Sequence, residues 1–211
     1  MTDKNDLILI TCSQSKKGST HLIHEPRNIF DFISTMARDL LGEGRRLALM
    51  RSKPPVDYSS PPVPALDRYT GEMYQVPEFK KRIVDALRAG IHCLIISGGY
   101  GVLRPEEPIH VYNVQISSAA SIWRDRISAV LSDYINRNKI KRVFVACSQN
   151  YARVVKTWIR AVEVANVYWH VPKVPARQGA RKEVPRRIGK AVVSLIACET
   201  SADQQWWQEK N

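Results

Sequence analysis

Short apolar segments alternate with longer amphipathic segments along this chain, and the alternation restricts the possible folds more than any other feature of the sequence. Five segments have the length and composition of strands, at residues 7–11, 47–50, 92–97, 142–147 and 166–171. Apolar residues at helical spacing lie between and around them, at 29–41, 77–89, 119–136, 151–162 and 181–198. This order predicts an α/β fold, a single three-layer domain with a mainly parallel central sheet of about five strands.

The length of 211 residues fits one large domain, which we expect to span residues 1–211. Five prolines between residues 52 and 64 predict a long surface loop, and residues 201–211 form a polar tail. No apolar run approaches the roughly 20 residues of a membrane-spanning helix, and the acidic N-terminus does not read as a signal peptide. We therefore expect a cytoplasmic protein with no membrane partner.

The cysteines are widely spaced and form no CxxC pair; they are Cys12, Cys93, Cys147 and Cys198. This spacing argues against a zinc knuckle and against a compact disulfide framework, so we expect free thiols. His21 and His24 have no partner at metal-ligand spacing. The sequence therefore predicts no metal site.

Basic residues are concentrated in the last third of the chain. Residues 141–190 hold twelve lysines and arginines against two acids, and the whole chain has a formal net charge of +12. Clustered positive charge favours a polyanionic partner, because phosphate binding releases condensed counterions. An ordinary solvated helix face is the alternative. The preferred phosphate-binding candidates are Lys173, Arg177, Arg181, Lys182, Arg186 and Arg187.

Three polar segments follow predicted strands and should converge on one edge of the sheet, at residues 12–16, 97–101 and 147–150. Ligands of open α/β sheets bind at the carboxyl ends of the strands. Cys12 is the strongest candidate nucleophile, because Lys16 and Lys17 would favour the thiolate; a small buried apolar side chain is the alternative. The candidate substrate-binding residues are Ser13, Ser15, Tyr69, Thr70, Ser97, Gly98, Gly99, Tyr100, Tyr112 and Asn113.

Candidate groups for proton transfer lie near these segments. Glu106 and Glu107 stand on a proline-braced loop, Asp67 precedes a Tyr-Thr-Gly turn, and His24 follows Cys12 within a dozen residues. Each could act as a general acid or base if the edge of the sheet excludes water. Solvated loop acids and a helix-entry turn are the alternatives.

The order of these motifs resembles the YaaA-like superfamily of nucleic-acid-associated domains. Between residues 7 and 150, a strand leads to Cys-Ser-x-x-Lys, then Tyr-Thr-Gly, then a strand ending in Ser-Gly-x-Tyr-Gly-Val-Leu-x-Pro, and then Tyr-Asn. The superfamily includes archaeosine synthase and the DpdC proteins of bacterial deazaguanine DNA-modification systems, which this chain resembles most. Cys12, Lys16 and His24 match positions of the archaeosine synthase motif, whereas Lys17 and Gly18 replace Pro-Tyr and His21 replaces a serine.

The resemblance implies an enzyme that converts the nitrile of cyano-deazaguanine in DNA to the carboxamide, without a metal or an organic cofactor. Cys12 would attack the nitrile carbon to give a thioimidate, and water would then replace the sulfur. Lys16 would stabilise the thiolate or the developing nitrogen anion, and His24 with Glu106 or Asp67 would move protons. DNA containing the modified deazaguanine and other proteins of the same modification system are the implied partners.

The sequence is also compatible with two other functions. In a non-catalytic DNA-binding stress protein of the YaaA kind, the basic face alone would carry the function. In a nucleotide or DNA N-glycosidase, Glu106 or Asp67 would stabilise an oxocarbenium-like sugar, and Cys12 would be incidental.

Overall fold

The computed structural model describes residues 2–17, 22–23, 25–159, 166–173, 180–197 and 208–209. The strands within them are β1 (Asp6–Thr11), β2 (Val63–Pro64), β3 (His92–Ser97), β4 (Gly101–Leu103), β5 (Pro108–Ile109), β6 (Arg142–Ala146), β7 (Asn166–His170) and β8 (Gln208–Glu209). The helices are α1 (Thr35–Leu49), α2 (Ala65–Arg68), α3 (Phe79–Arg88), α4 (Ala120–Arg137), α5 (Gln149–Ile159) and α6 (Ala180–Ala197), with a 3-10 turn at Ile29–Phe32.

β1 lies inside a six-stranded sheet with the strand order β4-β3-β1-β6-β7-β8. It pairs in parallel with β3 on one side and β6 on the other, and β6 pairs in parallel with β7. β4 and β8 are short antiparallel strands at the two edges. The prediction of an α/β fold with a mainly parallel central sheet is therefore confirmed.

Helices cover both faces of this sheet. All six residues of β1 are buried, and side chains that alternate between the two faces are all buried only when both faces are covered. α1 packs against α4, α4 packs against α5, and α3 packs against α6. Within the described residues, no helix is both long enough and apolar enough to cross a bilayer.

The strand predicted at residues 47–50 is wrong, because α1 continues through this segment to Leu49. Gly42 and Gly44 stand before this segment, and glycines within a helical pattern commonly indicate a break. Gly44 is instead buried where α1 packs against α4, and a Cβ atom at this position would collide with the Trp123 ring. The close approach of the two helices therefore explains a glycine that lowers helix propensity.

The proline-rich segment at residues 52–62 contains no helix or strand, and it leads into β2, which pairs with β5. Three hydrogen bonds join its start to Asn113, and one of them runs from the Lys53 backbone N–H to the Asn113 carbonyl oxygen at 3.5 Å. The Asn113 backbone N–H donates to Ser52 Oγ at 2.9 Å, and Asn113 Nδ2 donates to the Lys53 carbonyl oxygen at 2.8 Å. The loop therefore fixes the segment that precedes α4.

Candidate functional site

A cavity of about 540 Å³ lies where β1 and β6 end. Its walls come from the segment after β1, the segment that leads into α4, and the start of α5, at residues 12–16, 113–117 and 148–153. This is the carboxyl edge of the parallel sheet, where open α/β sheets bind ligands. Of the predicted site residues, Cys12, Ser13, Lys16 and Asn113 line the cavity.

Cys12 sits directly after β1 and is partly exposed. Its backbone N–H donates to the Ile96 carbonyl oxygen at 2.9 Å, which continues the pairing of β1 with β3. Its Sγ lies 3.1 Å from the Tyr151 hydroxyl at the start of α5. Cys93 and Cys147 are buried. The cavity therefore presents the Cys12 thiol next to a phenol.

Lys16 is buried in the wall of the same cavity, with 7% of its surface exposed. Its Nζ donates to the Gln14 carbonyl oxygen at 3.2 Å and lies 4.2 Å from the centre of the Tyr112 ring. Burial lowers the pKa of the Lys16 ammonium, and the nearby Cys12 opposes part of that shift. The described part of the chain contains no carboxylate that pairs with Lys16.

A chain of hydroxyl groups lies beneath Lys16. The Tyr69 and Tyr112 hydroxyls are 2.7 Å apart, and the Tyr112 hydroxyl lies 2.6 Å from Ser97 Oγ. Ser97 Oγ also accepts the backbone N–H groups of Gly99 at 3.2 Å and Tyr100 at 3.0 Å. Burial raises the pKa values of Tyr69 and Tyr112 well above the usual range. Both phenols therefore stay protonated at neutral pH and act as a rigid support.

The turn at residues 97–101 supports the cavity and does not line it. A Cβ atom at Gly98 would collide with the Val114 carbonyl oxygen and lie 2.7 Å from the carbonyl carbon of Gln115. A Cβ atom at Gly99 would lie 2.5 Å from the Tyr112 ring. The glycines therefore let the turn pack closely against the cavity wall.

The Tyr-Thr-Gly segment packs against the residues that follow β1. Ser15 Oγ and Thr70 Oγ1 are 2.8 Å apart, and the Thr70 backbone N–H donates to the Ser15 carbonyl oxygen at 3.0 Å. A Cβ atom at Gly71 would collide with Ser13 Oγ. Ser15 and Thr70 thus hold the loop that carries Lys16.

The carboxylates predicted to serve Cys12 do not line its cavity. Asp67 is fully buried, and its two oxygens accept the backbone N–H groups of Leu22 at 3.2 Å and Ile23 at 3.4 Å. Glu106 pairs with Arg104 at 2.6 Å and lines a different cavity. The structure therefore does not bring these two acids together with Cys12. His24 lies outside the described residues.

Glu107, the remaining acid considered for proton transfer, is also committed to structure. It forms a buried ion pair with Arg45 and accepts the backbone N–H groups of Ile29 at 3.3 Å and Arg104 at 3.4 Å. Arg45 donates further to the carbonyl oxygens of Tyr100 and Val102. Among the residues that the structure describes, no group of three or more His, Cys, Asp or Glu side chains is placed to hold a metal ion.

Sequence reasoning missed several residues of the cavity, notably Gln115, Ser117, Tyr151 and Arg153. Tyr151 and Arg153 lie in the first turns of α5, directly after β6. That position could have been found from the rule that ligands bind where parallel strands end. Gln115 and Ser117 belong to an irregular segment, for which the sequence carries no comparable signal.

The predicted phosphate-binding residues lie mainly on α6. We call the exposed residues Lys182, Arg186, Arg187 and Lys190 the basic α6 surface. Arg186 pairs with Glu72 at 2.7 Å and Arg187 with Glu183 at 2.6 Å, and Lys182 also lies 4.0 Å from Glu72; all three pairs are at partly exposed positions. Lys173 is exposed after β7. Arg177 and the side chain of Arg181 lie outside the described residues.

The fold and the cavity define an α/β protein with a cavity, lined by Lys16 and Arg153, at the carboxyl edge of its sheet. A sequence profile of the family described as peroxide stress protein YaaA matches residues 24–183, which is more than half of the chain. The chain therefore belongs to the peroxide stress protein YaaA family.

Curated relatives agree with this assignment. The chain is 26% identical over 102 residues to a UPF0246 protein of Francisella philomiragia, covering 43% of this chain and 39% of the relative. It is 26% identical over 113 residues to a UPF0246 protein of Rickettsia bellii, covering 50% and 46%. It is 25% identical over 112 residues to one of Rickettsia rickettsii, covering 50% and 45%. The chain thus spans less than half of the length of these relatives.

These matches correct the function expected from the sequence. The prediction of an enzyme that hydrates the nitrile of cyano-deazaguanine in DNA is wrong, because the family match is to a peroxide stress protein. The relatives connect the chain with YaaA and UPF0246 proteins, and the resemblance to archaeosine synthase and DpdC is not shown by them. The alternative of a YaaA-like stress protein fits better.

Proposed function

We propose that this chain is a stress protein of the YaaA family that binds nucleic acid through the basic α6 surface. The observation that carries the proposal is the placement of Lys182, Arg186 and Lys190 at four-residue intervals along α6, all exposed, with Arg187 beside them. Residues four apart lie on the same face of a helix. α6 therefore presents a row of cations to solvent, and phosphates along a polynucleotide are a matching row of anions.

The opposite face of α6 anchors this row. Ile188, Ala191 and Val192 are buried, and a Cβ atom at Gly189 would lie 2.7 Å from Val76 Cγ2. The backbone that carries the cations is thus fixed on a packed helix, and binding need order only the side chains. Ordering of the backbone, one of the costs that weaken association, is therefore avoided.

The three ion pairs on this surface are compatible with phosphate binding. Glu72 and Glu183 are themselves partly exposed, their arginine partners are about half exposed, and Lys182, which also pairs with Glu72, is mostly exposed. Ion pairs between exposed side chains contribute little to stability. Phosphate oxygens can therefore replace the carboxylates at little cost, and Arg binds phosphate with two parallel hydrogen bonds.

Fluorescence anisotropy with labelled duplex DNA, single-stranded DNA and RNA tests the proposal. The double variant Lys182→Glu/Lys190→Glu should lose about tenfold or more in affinity for the bound polymer, because two phosphate contacts become repulsive. The matched control, Lys4→Glu/Lys139→Glu, changes the net charge equally at exposed residues that precede β1 and follow α4. It should retain most of the affinity.

Two results would overturn the proposal. One is the absence of measurable binding to all three polymers at low salt. The other is an equal loss in the two double variants, since this would assign binding to net charge and not to the basic α6 surface. Circular dichroism of each variant establishes that the fold is retained.

A further inference from the structure

The cavity at the carboxyl edge of the sheet holds positive charge without a matching carboxylate. Lys16 and Arg153 line it, and among the described residues that line it there is no aspartate or glutamate. Lys16 is nearly fully buried, and its Nζ donates to a neutral carbonyl oxygen. Burying an ammonium group without a counter-ion is costly. An anionic ligand at this position would offset that cost.

The start of α5 contributes from a separate element. α5 begins at Gln149, and Ser148, Asn150 and Tyr151 line the cavity around that point. The first N–H groups of a helix have no partner within the helix, and the helix dipole favours an anion beside them. Arg153 follows within the next turn, and its guanidinium group suits phosphate oxygens.

The wall formed by the segment before α4 offers neutral polar groups. Asn113, Gln115 and Ser117 line it, and their amide and hydroxyl groups both donate and accept hydrogen bonds. The cavity volume of about 540 Å³ falls within the range of about 300–1,000 Å³ typical of sites for small organic ligands. The cavity therefore has room for an organic group attached to the anion.

We infer that this cavity binds a phosphate monoester of nucleotide size, with Lys16, Arg153 and the start of α5 around the phosphate. Asn113 and Gln115 face the organic part. The phosphate belongs either to a free nucleotide or to the phosphorylated end of a polynucleotide. The second source rests on the proposed nucleic-acid binding, whereas the first is independent of it.

Isothermal titration calorimetry with each of the four nucleoside 5′-monophosphates, and with the corresponding nucleosides, tests the free-nucleotide source. At least one monophosphate should bind about tenfold or more tightly than its nucleoside, because only the phosphate engages the two cations. Inorganic phosphate should bind more weakly than that nucleotide, because it lacks the organic group that would contact the polar wall.

Single substitutions identify the site. Lys16→Met keeps a chain of similar length over the Tyr112 ring and removes the charge, and Arg153→Gln removes the second charge; each should weaken nucleotide binding by about tenfold. Lys17→Met is the matched control, because Lys17 is the exposed neighbour of Lys16 and does not line the cavity. Equal effects of Lys16→Met and Lys17→Met would overturn the inference.

Oligonucleotides separate the two sources. A single-stranded 12-mer with a 5′-phosphate should bind more tightly than the same 12-mer with a 5′-hydroxyl if the polynucleotide end is the ligand, and Lys16→Met should abolish the difference. Lys182→Glu/Lys190→Glu should weaken the binding of both 12-mers alike and leave mononucleotide binding unchanged. A failure of the α6 proposal can therefore be distinguished from a failure of the cavity inference. If a phosphate strengthens binding of neither mononucleotides nor 12-mers, the inference is overturned.

Discussion

Lys16 is the residue whose placement is hardest to explain by packing alone. Its ammonium group lies over aromatic rings, hydrogen-bonded to a backbone carbonyl oxygen. The ring faces recover part of the lost hydration by cation–π attraction. Burial nevertheless lowers the Lys16 pKa from the model-compound value of 10.5, so the charged form is destabilised in the folded protein. The residue is therefore suited to a ligand that supplies negative charge.

The lowered pKa of Lys16 predicts a pH-dependent difference between the wild type and Lys16→Met. Between the folded and unfolded pKa values, the unfolded chain binds more protons, so the wild-type free energy of unfolding rises with pH through this window. Below the folded pKa, Lys16 is charged in both states, and the full cost of burying its charge lowers the wild-type free energy of unfolding. The stability advantage of Lys16→Met should therefore be largest near pH 7 and shrink towards pH 10.

Urea unfolding of the wild type and Lys16→Met at several pH values between 7 and 10 measures this difference. Lys17→Met, which changes an exposed residue, should show no comparable trend. A gap that widens with pH would contradict the burial of a charged ammonium group.

Cys12 should be the most reactive of the three cysteines that the structure describes. Cys93 and Cys147 are 0% and 1% exposed, and burial raises the pKa of Cys93 far above its usual range. Alkylation needs an accessible thiolate. Iodoacetamide followed by peptide mass mapping should therefore show Cys12 modified at least about tenfold faster than Cys93 or Cys147. Equal rates would mean that the cavity is closed to solvent.

Part of the site was predictable at the residue scale. Cys12 and Lys16 follow an apolar strand, and strand ends mark ligand sites in this fold class. The sequence makes Asp67 and Glu106 look available for chemistry, because acids near turns and loops are usually solvated. Their partners, the Leu22 and Ile23 amides and the Arg104 guanidinium, become visible only when the chain is folded.

At the scale of elements, the buried pair of Arg45 and Glu107 joins α1 to the segments around β4 and β5. Arg45→Met should destabilise the protein by about 3–5 kcal/mol, because Glu107 would be left as a buried carboxylate without its counter-ion. The expected readout is a shift of the urea midpoint without a change in slope. Glu107→Gln in the Arg45→Met background should recover part of the loss, since it removes the unpaired charge.

Arg46→Met supplies the control for this prediction. Arg46 is the neighbour of Arg45 on α1, and it pairs with Glu43 at the exposed surface. Its loss should barely move the urea midpoint. Equal midpoints for Arg45→Met and Arg46→Met would show that the buried pair does not hold α1 in place.

Helices and strands with a clear pattern of apolar residues could be predicted from the sequence. The bounds of the other elements depend on tertiary contacts. β1, β3 and β6 contain continuous apolar runs, which are typical of strands buried on both faces, whereas the first three residues of β7 are only half-buried. The end of α1 has the composition of a short strand after two glycines, and only the contact of Trp123 with Gly44 shows why a glycine lies within the helix. β2, β5 and β8 have two residues each, which is too short for any sequence period.

At the scale of the whole molecule, the basic α6 surface and the cavity are joined by one segment. Arg186 of α6 pairs with Glu72, and the adjacent Gly71 packs against Ser13 in the cavity wall. Residues 69–76 therefore lie between the two features. A polynucleotide whose end lies near α6 can therefore reach the cavity, which connects the two proposals physically.

The salt dependence of nucleic-acid binding tests whether the basic α6 surface, and not the cavity, contacts the phosphates of the polymer backbone. Each phosphate contact on duplex DNA contributes about 0.9 to the slope of log affinity against log salt concentration, because neutralised phosphates release condensed counterions. Loss of the Lys182 and Lys190 contacts in Lys182→Glu/Lys190→Glu should therefore reduce the slope by about 1.8. Lys16→Met should leave the slope on unphosphorylated duplex unchanged, because the cavity takes a terminal phosphate and not the internal backbone. Anisotropy titrations from low to physiological salt measure both slopes, and a wild-type slope near zero would contradict backbone binding by α6.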